Sequence, residues 1–101
     1  MILHFSPILK FNVFGHSMEP LFPQGSIILV SSIPYFFSSP KVRDVIVYKE
    51  KRSDTYFVKR ITSVEKGTYF VEGDNKKDSL DSRKLGRIKK KDIIGKVVFK
   101  L

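Results

Sequence analysis

Thr55-Tyr56-Phe57-Val58-Lys59-Arg60-Ile61-Thr62-Ser63-Val64 is a run of mostly β-branched and aromatic residues broken by one pair of cations. Such residues fit a pleated, half-buried strand. Alternate side chains along a strand share a face. Phe57, Lys59 and Ile61 therefore lie together, with Tyr56, Val58 and Arg60 opposite. Downstream, Gly67 turns the chain into a second run, residues 68–72. Upstream, residues 51–54 form a polar turn after a third run, residues 44–49. Working outward, residues 26–30 follow Pro23-Gln24-Gly25 and suit a short buried strand. Residues 8–14 suit a first strand and residues 93–100 a last one. Residues 31–40, rich in Ser, Pro and aromatics, read as a loop, with Tyr35, Phe36 and Phe37 either folded back on the core or exposed. Gly73-Asp74-Asn75 interrupts the pattern, and a polar stretch continues to Arg87. No segment sustains a 3.6-residue period, and there are no internal repeats. The expected architecture is all-β and barrel-like, because closure removes the edges that a small sheet exposes.

The chain has 101 residues, enough for one domain over 1–101 and too few for two. Its apolar content of 42% is that of a globular protein, not of a disordered one. The absence of cysteine excludes disulfides, a thiolate nucleophile and a Cys-ligated zinc. Only His4 and His16 offer imidazole ligands, so no metal or cofactor is expected. No apolar run approaches the ~20 residues of a membrane-spanning helix. Residues 1–14 are interrupted by His4, Pro7, Lys10 and Asn12 and lack the pattern of a secretion signal. A net charge of +9 favours polyanions or an anionic membrane surface, unless most of these cations are simply solvated.

Gly15-His16-Ser17-Met18-Glu19-Pro20 lies where the first strand gives way to a loop broken by Pro20 and Pro23. Ser17 reads either as a turn residue or as a reactive group carried on a scaffold. A serine nucleophile needs a base. His16 is adjacent, but in extended chain its side chain points away from that of Ser17. His4 belongs to a segment with no clear placement. Lys59 sits among apolar neighbours on its strand face, and burial lowers a lysine pKa by as much as ~3–5 units. It reads either as a half-exposed surface lysine or as a neutral amine able to take a proton from Ser17. The third feature is Gly73-Asp74-Asn75-Lys76-Lys77-Asp78-Ser79-Leu80-Asp81-Ser82-Arg83. Its Asp, Asn and Ser favour side-chain-to-backbone hydrogen bonds. It lacks the closing Glu of a calcium loop, and lysines are interleaved.

In order, these three features resemble the signal peptidase I family. Ser17-Met18-Glu19-Pro20 resembles its nucleophile box and Val58-Lys59-Arg60-Ile61 its general-base box. Gly73-Asp74-Asn75, with Ser79, Asp81, Ser82 and Arg83, resembles its last box. Val42-Arg43-Asp44-Val45 is similar to a segment usually written Gly-Asp-Val, with Arg43 at the glycine. Gly95-Lys96-Val97-Val98 is similar to the closing strand. Within the family, the short passage from the lysine strand through a hairpin into Glu72-Gly73-Asp74-Asn75 is most like the compact nickel-type superoxide dismutase maturation proteases.

The resemblance implies a partly open β-barrel of the kind shared with the LexA peptidase domain, and a serine endopeptidase activity that removes an amino-terminal signal or pro-sequence. It implies Ser17 as nucleophile and Lys59 as general base. Ser79 would orient the lysine amine, and Asp81 with Arg83 would form a supporting ion pair. Met18 and Asp74 occupy supporting positions in their boxes. The Ser17 backbone N–H would help to hold the oxyanion. Gly15 stands where some members carry a second hydroxyl donor, Leu21 where they carry Thr, and Gly25-Ser26 where they carry Gly-Asp.

The implied substrate is a protein bound in extended conformation, gripped by β-addition. Without an anchor, the expected setting is cytoplasmic, with peripheral contact to an anionic membrane as the other option. A non-enzymatic barrel binding nucleic acid is the competing reading, supported by Arg87-Ile88-Lys89-Lys90-Lys91. Nucleic acid is disfavoured because no RNP-like aromatic motif accompanies that charge. A self-cleaving repressor of the LexA type is also disfavoured, because only residues 1–16 precede Ser17.

Overall fold

The computed structural model of the chain describes residues 7–101. His4 lies outside the described residues. The strands are β1 (Ile8–Asn12), β2 (Ile27–Ser31), β3 (Val45–Glu50), β4 (Thr55–Glu65), β5 (Thr68–Glu72), β6 (Ile88–Lys89) and β7 (Ile93–Lys100). Two single-turn helices interrupt them, α1 (Pro34–Phe37) and α2 (Ser82–Leu85). The strands form one sheet in the order β1-β2-β7-β3-β4-β5-β6, with every neighbouring pair antiparallel. Among the described residues no ladder joins β1 to β6, so the sheet does not close. This is the all-β, partly open barrel expected from the sequence.

The sheet has two packed faces. Val13, Met18, Phe22, Ile28, Val30, Val45 and Val47 form one buried cluster, with Phe11 and Val58 against it. Ile46, Tyr48, Ile61, Tyr69 and Val71 form the other, with Phe57 against it. Strand β3 feeds both clusters, and Val45-Ile46-Val47-Tyr48 is buried on both faces. That explains an uninterrupted apolar run where an antiparallel strand with one wet face would alternate. β4 alternates as the sequence predicts: Phe57, Lys59 and Ile61 share the second cluster's face, and Val58 faces the first.

β4 changes partner along its length. Its first part pairs with β3, from Thr55↔Glu50 to Arg60↔Val45. Its second part pairs with β5, from Arg60↔Glu72 to Glu65↔Thr68, with a register shift between Ile61 and Ser63. Bulges of this kind bend and twist a strand. Residues 55–59 therefore keep one edge without a strand partner among the described residues. Lys66 (φ +49°) and Gly67 (φ +74°) make the turn between β4 and β5, as a two-residue type I′ hairpin requires.

Two segments differ from the sequence reading. β1 stops at Asn12 rather than at residue 14; Val13 still exchanges hydrogen bonds with Ser26 and Gly25, and Gly15 (φ +82°), whose N–H donates to Gln24, then turns the chain away. Residues 31–40 are not all loop. Pro34 opens the helical turn α1, where its missing N–H costs nothing. The aromatics there divide. The Tyr35 hydroxyl donates to Asp44 at 2.7 Å, whereas Phe36 and Phe37 are 65% and 87% exposed.

Arg43 stands at a position where φ is +83°. Left-handed backbone costs a residue with a Cβ about 1–2 kcal/mol, partly offset by the ~0.5–1 kcal/mol of extra freedom that glycine loses on folding. The Arg43 side chain is exposed, and its ordered contacts are through the backbone: its N–H donates to Ile61 O and its carbonyl accepts from Arg60. Arg43→Gly is expected to stabilise the fold by roughly 0.5–1 kcal/mol, seen as a rise of about 2–8 °C in thermal midpoint. A fall in midpoint would contradict this account of the turn.

Candidate active site

Residues 55–59 of β4 and residues 11–14, at and beyond the end of β1, line one groove of about 310 Å³. Its floor is apolar, made by Val13, Ile28, Val47 and Val58. Ser17 and Lys59 both line it. Phe11 from β1 and Tyr56 from β4 meet across it, with ring centroids 5.5 Å apart in an edge-on arrangement.

Ser17 is half-buried on the loop that follows β1, and that loop is clamped from two sides. Below it, Met18 is fully buried in the first core cluster, and its carbonyl accepts from Phe22 N–H at 2.9 Å. Beside it runs the Gly73-Asp74-Asn75 break. The Asn75 N–H donates to the Ser17 carbonyl at 2.8 Å, and the Asn75 side-chain amide donates to the His16 carbonyl at 3.1 Å. The Asp74 N–H points at the Met18 sulfur, 3.4 Å away. Gly73 approaches so closely that an added Cβ would lie 2.6 Å from the Ser17 carbonyl oxygen.

Lys59 is 5% exposed. It pairs across the sheet with Ile46, and its ammonium nitrogen lies 5.4 Å from the centre of the Phe57 ring. Lys59 Nζ donates to Ser79 Oγ at 3.1 Å. Ser79 in turn donates to Asp81 Oδ2 at 2.6 Å and accepts from the Gly73 N–H at 3.1 Å. Burial pushes the Lys59 pKa below the ordinary lysine value; the negative charge of Asp81 opposes this and the positive charge of Arg83 adds to it. Asp81 is almost wholly buried. Burial alone would raise its pKa. Hydrogen bonds from Arg83, Ser79 and the Gly73 N–H together outweigh that and hold the carboxyl well below the usual range. Arg83 Nε reaches Asp81 Oδ1 at 2.9 Å, and Arg83 Nη2 reaches the Lys76 carbonyl. The amine, the hydroxyl, the carboxylate and the guanidinium thus form one chain, Lys59–Ser79–Asp81–Arg83.

The sequence reading assigned no role to Arg60. Its guanidinium forks onto Asp74, with Nε–Oδ1 at 2.8 Å and Nη2–Oδ2 at 2.9 Å, and a third nitrogen holds the Arg43 carbonyl at 2.9 Å. Paired in this way, Asp74 anchors the break that braces Ser17. Ser82, also without a stated role, accepts the Val71 N–H at 2.9 Å. His16 does not line the groove. It is exposed, and its Nδ1 lies 2.8 Å from Glu19 Oε2. In the basic run, Arg87 folds back on β4 and β5: it donates to Thr68 and to the Ser63 carbonyl and lies over the Phe70 ring. Among the described residues no group of three His, Cys, Asp or Glu is placed to hold a metal ion, and no helix is long and apolar enough to cross a membrane.

Lys59, a sheltered amine whose charge is disfavoured, thus lines one groove with Ser17. Comparison with known proteins shows a peptidase family. The family model described as signal peptidase, peptidase S26, matches residues 1–64 and 61–101. Thylakoidal processing peptidase 1, chloroplastic, from Arabidopsis thaliana is 24% identical over 132 aligned residues, covering 83% of this chain and 39% of the relative. Signal peptidase I from Buchnera aphidicola subsp. Baizongia pistaciae is 58% identical over 36 residues, covering 36% of this chain and 12% of the relative. The chain therefore spans less than half the length of these curated relatives.

Proposed function

The chain belongs to the signal peptidase family, peptidase S26, and from that premise we propose that residues 1–101 act as one peptidase domain, a serine endopeptidase with Ser17 as nucleophile and Lys59 as general base. The observation that carries this reading is a lysine 5% exposed in the same groove as Ser17. Neutral Lys59 takes the proton of the Ser17 hydroxyl as Oγ attacks the substrate carbonyl. The oxyanion that forms is held with help from the Ser17 N–H. The Lys59 ammonium then gives its proton to the leaving amine, and an ester of Ser17 remains. Lys59 deprotonates a water molecule that hydrolyses this ester, and the proton returns to Ser17.

Ser79 is an orienting residue in this scheme. Its own proton is given to Asp81, so it meets Lys59 as an acceptor. One N–H of the neutral amine is thereby occupied, and the lone pair is left for Ser17. Asp81 and Arg83 hold Ser79. Met18, Asp74 and Arg60 hold the loop of Ser17.

The substrate is a protein bearing an amino-terminal signal or pro-sequence, lying extended between β1 and the free edge of β4. The edge of β4 over residues 55–59, without a strand partner among the described residues and beside an apolar floor, suits β-addition. The net charge of +9 with exposed Phe36 and Phe37 supports peripheral contact with an anionic membrane. The test is to incubate the chain with candidate preproteins and read new amino termini by mass spectrometry. One defined cut, lost in Ser17→Ala, is expected. The same cut persisting in Ser17→Ala would refute the assignment.

A further inference from the structure

The ends of β3 and β4 stand between two concavities. The cross-strand pairs Tyr48↔Phe57, Lys49↔Tyr56 and Glu50↔Thr55 have their β4 member on the reactive groove and their β3 member on a second cleft, of about 180 Å³. The Tyr48 and Phe57 rings meet edge-on, with centroids 5.9 Å apart. The turn after β3 adds Lys51 and Arg52 to this cleft, and the stretch after α2 adds Arg87 and Lys89.

The cleft is cationic. Its lysines and arginines face only Glu50 and Asp92 as carboxylates in the lining. Lys49 reaches Asp54 at 3.1 Å, and Lys51 reaches Asp92 at 3.3 Å. Glu50 is occupied by the turn, where it accepts from the Arg52 and Ser53 N–H groups and from the Ser53 hydroxyl. Among the described residues Arg52, Arg87 and Lys89 form no ion pair. Lysines that guard a sheet edge are common, and edge protection accounts for Lys89 on β6. It does not account for Arg52, which comes from the turn between β3 and β4 and lines the same cleft.

The lining also selects the kind of anion. None of the exposed large apolar side chains among the described residues lies there, so the cleft does not suit a bilayer. Its one aromatic, Tyr48, is 2% exposed and offers no face on which a base could stack. A peptide segment carrying carboxylates fits what remains. A substrate lying along residues 55–59 of β4 and running on past Thr55 meets this turn. From Lys59 to Thr55 the strand covers about 13 Å, at ~3.3 Å per residue.

We propose that this cleft is a docking site for an acidic segment of the substrate protein, about five to eight residues from the cleaved bond. The inference rests on the peptidase reading above. Docking so far from the reacting atoms lowers KM and leaves kcat as it was. It weakens with added salt, because exposed charges are screened.

The experiment uses fluorescent peptides spanning a cleaved site, with a run of aspartates or of asparagines about five to eight residues before the cut, or as far after it. On one side of the cut, the aspartate peptide is expected to show a KM about tenfold below that of its asparagine twin in low salt, at equal kcat. The gap closes in about 0.5 M salt. Arg52→Glu/Lys89→Glu abolishes it. Lys41→Glu/Lys100→Glu, an equal charge change at exposed positions lining neither concavity, preserves it. Thermal melts of each variant separate lost docking from unfolding. The absence of a gap, a gap that persists in Arg52→Glu/Lys89→Glu, or one that both double variants lose alike overturns the proposal. So does tighter binding of a single-stranded oligonucleotide than of the aspartate peptide, lost in Arg52→Glu/Lys89→Glu. If the unsubstituted chain cleaves none of the peptides, the peptidase reading fails. Anisotropy binding of the same peptides then decides the cleft: a preference for aspartate that Arg52→Glu/Lys89→Glu abolishes upholds it as an acidic-peptide site, and equal binding of both series ends it.

Discussion

Lys59→Met is expected to lower kcat/KM by about 10³–10⁴-fold, the worth of a general base, without weakening the fold. Methionine matches the length and apolar stem of lysine and removes only the amine. Ser79 is not orphaned by the change, because its hydroxyl still donates to Asp81 and still accepts the Gly73 N–H. The buried ammonium is a cost to folding, so its removal should be neutral or should stabilise by about 1 kcal/mol. The sign follows from linkage. The folded-state pKa of Lys59 is lowered, so the unfolded chain binds the proton more tightly, and the folded state is penalised at neutral pH. That penalty fades as pH rises towards 10.5, the ordinary lysine value, and the gain from methionine should fade with it. Ser17→Ala is expected to cost a similar factor in rate. The double variant should be little worse than either single one, because nucleophile and base act as a unit. Losses that multiply would mean that Ser17 and Lys59 act in separate steps.

Gly73→Ala is expected to cost about 10²-fold in kcat/KM, although Gly73 carries no reacting atom. An added Cβ would overlap the Ser79 hydroxyl and lie 2.6 Å from both Ser79 Cβ and the Ser17 carbonyl oxygen. Real Cβ atoms do not approach so closely, so the break or the Ser17 loop must move. Either shift separates the amine from its orienting hydroxyl or moves Ser17 away from the amine. A misplacement near 1 Å is worth about 10²-fold in rate, and overpacking a tight site costs about 1–3 kcal/mol. Circular dichroism melts and kcat/KM on one peptide measure the two effects. Activity within threefold of the unsubstituted chain would show that the break does not brace the site.

How far the sequence reaches can be judged from particular residues. The alternation of Phe57, Lys59 and Ile61 placed Lys59 on an apolar strand face, but a half-exposed surface lysine fits that face as well, and its 5% exposure is set by the fold around it. Residues 93–100 read as a strand and form one with those bounds. Residues 31–40 were harder. A single helical turn is too short to show a period, and the fate of Tyr35 depends on Asp44, whose proximity only the fold creates. β6 spans two residues inside a basic stretch, below any pattern that a sequence can display. The same limit hid Arg60. Strand alternation set it opposite Lys59, which is correct, but its partner Asp74 arrives through a hairpin 14 positions on. Ser79 and Asp81 stood out by resemblance to a family box. Their geometry, one serine bridging an ammonium and a carboxylate, needed coordinates.

The pH dependence of kcat/KM on a single cleaved peptide tests the central claim most directly. An uncharged lysine acting on Ser17 predicts activity that is low in acid and rises through one ionisation with a midpoint below 10.5. His16→Gln should leave that midpoint in place, because His16 sits on Glu19 outside the groove lining. A flat profile, or a rise that vanishes in His16→Gln, would contradict a lysine base.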